Sequence, residues 1–143
     1  MFETPNKITL SGNEYPVKCD MLVLEKVQDK YGDLAKFEDK IRKFVPDVDA
    51  DGNYIKNADG LVIGHYEYPE ISALIDLTFW CICEGMDIEG IEEGRPADRM
   101  ELMRLVDITP LELSEIMHTE YVGCFARKNP QTTQDQKKAQ KKN

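Results

Sequence analysis

The run Asp47-Val48-Asp49-Ala50-Asp51-Gly52 opens like a calcium loop, with carboxylates at alternate positions and a glycine at the sixth. Such a loop also needs a bidentate glutamate at its twelfth position. Counted from Asp47, that position is Ala58, and β-prone residues follow where an exiting helix should begin. An acidic turn is the better reading and a weak calcium contact the lesser one. The two histidines, His65 and His118, lie in separate segments, outside any HxxxH or HExxH frame. Cys19, Cys81, Cys83 and Cys124 form no CxxC pair. On a helix, Cys81 and Cys83 stand about 200° apart, so they cannot hold one metal together. They read as reduced, buried packing residues of a cytosolic protein. There is no GxSxG, Walker loop or GxGxxG, and the acidic stretch Asp87–Glu93 has no paired-carboxylate pattern. The sequence therefore predicts no catalytic, cofactor-binding or metal site, and no enzyme.

The chain has 143 residues and a net charge of −9, unevenly spread. From Arg127 onward there are six basic residues and one acid, and removing that +5 leaves −14 for residues 1–126. A body of that sign repels phosphate backbones, which argues against nucleic-acid binding by the folded part. The same argument discounts a helix-turn-helix reading of residues 108–122, whose exposed positions include Glu112, Glu115 and Glu120. The longest apolar run, Ile71–Cys83, is interrupted by Asp76 and is shorter than the ~20 residues a bilayer span needs. Residues 1–13 are polar and do not read as a secretory leader. These features predict a cytosolic protein with one domain, residues 1–126, and a disordered polar and basic tail, residues 127–143.

The expected fold class is α+β, mainly α: an N-terminal β-hairpin packed on about four to five helices, with a small hairpin insert. Residues 7–10 and 15–19 alternate around a turn at Ser11-Gly12-Asn13, which puts Ile8, Leu10, Tyr15, Val17 and Cys19 on one face and Pro16 toward water. Asp20 caps a helix over residues 21–31 that Gly32 ends. Asp33 caps a second helix whose stripe is Leu34, Phe37, Ile41 and Phe44, stopped by Pro46. Residues 46–69 read as a hairpin or loop insert turning at Asn57-Ala58-Asp59-Gly60. Pro69 opens the strongest helix, ended by Gly85, and residues 86–95 read as an acidic loop. Residues 97–106 form a short helix. Thr109-Pro110-Leu111-Glu112 starts the last one with an N-cap, a first-turn proline and a capping-box glutamate. No internal repeat is read. The strongest helix is apolar on two sides: Ile71, Leu74, Ile75, Thr78, Phe79 and Ile82 on one, and Ala73, Leu77 and Trp80 on the other, beside Asp76. Such a helix is either central in the fold or covered by a partner. On the partner reading, Ala73, Leu77 and Trp80 are the contact residues.

The opening Lys7-Ile8-Thr9-Leu10-Ser11-Gly12-Asn13-Glu14-Tyr15-Pro16-Val17-Lys18 resembles the start of the tail assembly chaperones of long, flexible-tailed bacteriophages. The helix ending Lys30-Tyr31-Gly32 is similar to the first helix of those proteins. The helices over 71–84 and 109–126 take the places of the family's helical body, and the insert at 46–69 departs from the shortest members. The resemblance implies a non-enzymatic protein of the bacterial host cytoplasm, absent from the mature virion. It would coat the tape measure protein and keep it soluble during tail morphogenesis. The tail tube protein and other copies of the chain are further partners it suggests. It also implies a frameshifted longer form, with Lys141-Lys142-Asn143 encoded by an A-rich slippery heptamer. The acidic body leaves two other readings: a DNA mimic or inhibitor of a host protein from a mobile element, and a weak calcium-binding module.

Overall fold

A computed structural model describes residues 4–126, and the expected tail lies outside them. The elements run β1 (Asn6–Leu10), β2 (Asn13–Val17), α1 (Met21–Tyr31), α2 (Leu34–Ile41), β3 (Phe44–Pro46), β4 (Gly64–Tyr66), α3 (Ile71–Glu89), α4 (Arg99–Leu105) and α5 (Pro110–Gly123). This is the expected α+β architecture, mainly helical, with an N-terminal hairpin and a second hairpin between helices. The two sheets are separate antiparallel pairs, β1–β2 and β3–β4.

β1 and β2 pair with Ile8 opposite Tyr15 and Leu10 opposite Asn13. Ser11 and Gly12 turn between them at φ 50° and 78°, the positive-φ pattern of a two-residue hairpin turn. Ile8, Leu10, Tyr15 and Val17 are buried on the helices. Pro16 is buried too, not directed to water as the alternation predicted. The reason lies in Gly85. A Cβ there would sit 2.6 Å from the Pro16 carbonyl oxygen, so strand and helix meet backbone to backbone. Gly85 therefore does not end α3. The helix runs on to Glu89 and closes at Gly90 in the left-handed conformation, so the first part of the expected acidic loop is helical.

Side-chain caps set four helix starts. Asp20 accepts from the amides of Leu22 and Val23, and Asp33 from those of Ala35 and Lys36. Asp98 accepts from the Glu101 amide, and Thr109 from the Glu112 amide at 3.1 Å. Each satisfies first-turn donors that have no helical partner. α2 ends earlier than its apolar stripe predicts. Its last carbonyls are taken by other elements: Lys40 O by the Glu70 amide at 2.8 Å, and Ile41 O by the Ser114 hydroxyl at 2.6 Å. Phe44 thus leaves the helix and enters β3, before Pro46 acts as a stop.

α3 is the central element, touching β2, α1, α2, α4 and α5. Phe37, Ile41, Leu74, Leu77, Ile82, Leu102, Met117 and Tyr121 fill the core around it, each at most 1% exposed. Tyr31, Phe37, Tyr121 and Phe125 form a chain of tilted aromatic contacts with centroids 4.8–5.4 Å apart.

The insert carries a repeat that the sequence reading missed. Val48-Asp49-Ala50-Asp51-Gly52-Asn53-Tyr54-Ile55 is followed at once by Lys56-Asn57-Ala58-Asp59-Gly60-Leu61-Val62-Ile63. The two units fold alike. Asp49 Oδ1 accepts from the amides of Asp51 and Asn53, and Asn57 Oδ1 accepts from those of Asp59 and Leu61. Gly52 and Gly60 close the turns at φ 81° and 80°. Residues 47, 55 and 63 close a ring of backbone bonds. The Asp47 amide donates to Ile63 O, the Ile63 amide to Ile55 O, and the Ile55 amide to Asp47 O, at 2.9–3.0 Å. The expected turn at residues 57–60 is present, as one of two turns of equal length closed on one ring.

Candidate functional site

Ala73 and Leu77 are fully buried in the core, and Trp80 is half-buried against it. The second apolar face of α3 is therefore covered from within the chain. α3 packs against β2, α1, α2, α4 and α5, so it is central and two of the three expected contact residues are core residues. Trp80 keeps only a partly exposed ring.

Asp76, on the same helix, is the polar exception. Its carboxylate is 4% exposed, accepts from Lys30 Nζ at 2.5 Å and the Tyr31 hydroxyl at 2.6 Å, and lies 2.9 Å from Arg99 Nε as an ion pair. Burial works to raise its pKa. The bonds from Lys30 and Tyr31 and the charge of Arg99 outweigh that and hold the carboxyl below its usual range. The same burial, with the bond to Asp76, pushes the Tyr31 phenol up to about 12. Arg99 Nη2 also donates to Ser72 O and Oγ, at 3.3 and 3.2 Å. At the other end of α4, the Ser11 hydroxyl donates to Leu105 O at 2.6 Å. These contacts hold α4 at both ends and set its distance from α3.

That spacing leaves an apolar groove between α3, α4 and the start of α5. Its floor is Leu74, Ile75 and Leu113, all buried, and its walls are Ile71, Met103, Val106, Ile108 and Pro110. The cavity is about 150 Å³, the size that admits a benzene ring in an engineered apolar core. Ile71 and Met103 at the rim are 44% and 45% exposed, and Met100, three residues before Met103 on α4, is 58% exposed. The Met103 thioether at the rim can adapt to varied apolar surfaces. The arrangement can seat one large aliphatic or aromatic side chain of another segment, and it presents no nucleophile or acid–base pair. The sequence offered a signal for it: Met100 and Met103 are apolar residues left over on the outer side of a short helix.

The remaining candidate residues do not converge. Asp49 spends its carboxylate oxygen on backbone amides, and Asp47 faces His65 at 3.6 Å. Among the described residues, no group of three or more histidine, cysteine or carboxylate side chains is placed to hold a metal ion. His118 bonds Glu38 at 2.9 Å and joins α5 to α2. Cys19 and Cys81 are buried and Cys83 and Cys124 half-buried, all unpaired as thiols. Bonding from Cys19, then burial, pushes the Cys124 thiol well up. A protonated thiol is a poor nucleophile, so this cluster packs where a chemical role would need thiolate. No described helix is long and apolar enough to cross a membrane.

No family model, curated protein or solved structure matches the chain.

Proposed function

We propose that this protein is a tail assembly chaperone of a long, flexible-tailed bacteriophage or prophage. In this reading it binds helical segments of the tape measure protein and keeps them soluble while the tail forms. The observation that carries the proposal is the open apolar groove between α3, α4 and α5, rimmed by Ile71 and Met103, on an acidic helical body. A groove of this kind takes an anchor side chain from the apolar face of an amphipathic helix. The negative body keeps loaded and unloaded copies apart. The likeness of residues 7–32 to the opening of that family supports the same reading, and the bound state involves no bond-making step.

Co-expression with the long coiled-coil reading frame expected just downstream tests it. The wild-type chain should move that client into the soluble fraction. Met103→Asp should cut the soluble yield about tenfold, with the circular dichroism unchanged. A client that stays insoluble beside the wild-type chain would sink the proposal, as would one rescued equally by Met103→Asp.

A further inference from the structure

The groove is not the largest apolar exposure on the molecule. Nine of the seventeen large exposed apolar side chains among the described residues fall between Phe44 and Tyr68. Tyr54, Leu61 and Val48 are 60%, 64% and 53% exposed. They lie on the twin-turn insert, whose backbone is closed on itself by the 47–55–63 ring. The insert is fastened to the body at its base. The Glu67 amide donates to Lys43 O, and the Arg42 guanidinium stacks on the Tyr66 ring at 3.6 Å. Apolar side chains held on a pre-formed backbone bind a partner at a lower ordering cost.

Charge says what kind of partner that is. Between Asp47 and Glu67 there are five carboxylates and one lysine, Lys56. The two turns carry Asp49, Asp51 and Asp59, and neighbouring positions carry Tyr54, Leu61 and Val62. A surface that is apolar and anionic together suits a segment that is apolar and cationic together. The body of a second copy, at −14 over residues 1–126, has the wrong sign. Residues 127–143 have the right sign, with six basic residues, but no large apolar side chain.

We infer that the insert is a docking surface for a protein segment that carries lysine or arginine interleaved with aliphatic side chains. The surface is separate from the groove, so groove-mediated client binding survives if this inference fails. The repeat supplies a clean variant. Asn57 makes with an amide oxygen the same two backbone bonds that Asp49 makes with a carboxylate. Asp49→Asn therefore keeps the turn and removes the charge.

Two synthetic 18-residue peptides with leucines at helical spacing, one filled with lysine and one with glutamate, are titrated into the full chain at physiological salt. Backbone amide signals are followed by NMR. The lysine peptide should shift signals within residues 48–63, and the glutamate peptide should not. The triple change Asp49→Asn, Asp51→Asn, Asp59→Asn should weaken that binding about tenfold. The pair Tyr54→Ser, Leu61→Ser should weaken it comparably with the charge intact. Shifts confined to the Ile71–Met103 groove overturn the inference, and so does equal binding of the two peptides or no binding. It also fails if insert signals move with protein concentration alone, which assigns the surface to a second copy. Equal shifts from a peptide of residues 127–143 would assign it to the chain's own terminus.

Discussion

The helical body and the insert treat apolar side chains in opposite ways. In the body, α3 has apolar residues on both faces and buries nearly all of them, down to 0% exposure at Ala73 and Leu77. Its buried charge, Asp76, is matched by two donors, Lys30 and Tyr31, and by the nearby charge of Arg99. In the insert, backbone bonding comes first. The ring and the two Asx-type turns satisfy the chain locally, and the side chains are left outside. A region closed by its own hydrogen bonds needs little core, so its apolar residues are available for contact. A region closed by packing spends most of its apolar residues inside and keeps fewer for contact, such as Ile71 and Met103 at the groove rim.

Changes that separate the two closures should differ in scale. Asp76→Ala should be the most damaging, because it leaves Lys30, Tyr31 and Arg99 without their buried carboxylate. Two hydrogen bonds to a charged group are lost, but Lys30 and Arg99 are 49% and 43% exposed and can turn to water, which leaves a cost of about 2–3 kcal/mol, readable as a fall in the urea midpoint. Gly85→Ala comes next. Its methyl meets Pro16 backbone, and overpacking of this kind costs about 1–3 kcal/mol. Gly64→Ala also meets backbone, at Val45 O, but inside the insert. Amide exchange should quicken there for residues 44–68 while the α3 amides keep their protection. Equal loss of protection in both regions would erase the distinction drawn here.

A smaller effect concerns pH. The Asp20 carboxylate hydrogen-bonded to Glu84, with burial and the further charge of Asp87, pushes the Glu84 pKa up to about 7. The native state therefore holds a proton that the unfolded chain releases near 4.5. The pair's contribution is complete below the unfolded value and is lost as pH rises through 7. Glu84→Gln should thus be more stable than wild type at pH 8, by about 0.5 kcal/mol after solvent screening. The gap should close near pH 5 in thermal melts. Asp76 works the other way, since its depressed pKa withdraws stability only as pH falls into the acid range. The least change in stability should come from Leu61→Ser, within about 0.5 kcal/mol by chemical denaturation, because that side chain is 64% exposed.

Much of the fold could be read locally. The caps at Asp20, Asp33 and Thr109 and the glycine after Tyr31 act within one helical turn of their own chain, so residue type alone reveals them. The misreadings share the opposite character. α2 stops at Ile41 because Glu70 and Ser114, 30 and 73 residues away from the carbonyls they take, claim them. Gly85 resembles a stop and is a contact point, since only the folded chain brings Pro16 beside it. Ala73 and Leu77 resemble an uncovered face because their cover comes from elements distant in sequence that pack on α3. The eight-residue repeat is legible in two Asp-Gly pairs eight residues apart, which taken singly read as one hairpin and one acidic turn. The groove was barely legible, because its walls come from three helices and a linker, and only Met100 and Met103 hinted at it.

The meeting of Gly85 with Pro16 also bears on the order of assembly. The hairpin has no seat until a full turn of helix on either side of Gly85 has formed, 69 residues further along the chain. A strand pair emerging first during synthesis must wait, with Ile8, Leu10 and Val17 uncovered, until α3 exists to receive it. Pulse-labelled refolding should therefore protect the amides of β1 and β2 together with those of α3, and never ahead of them.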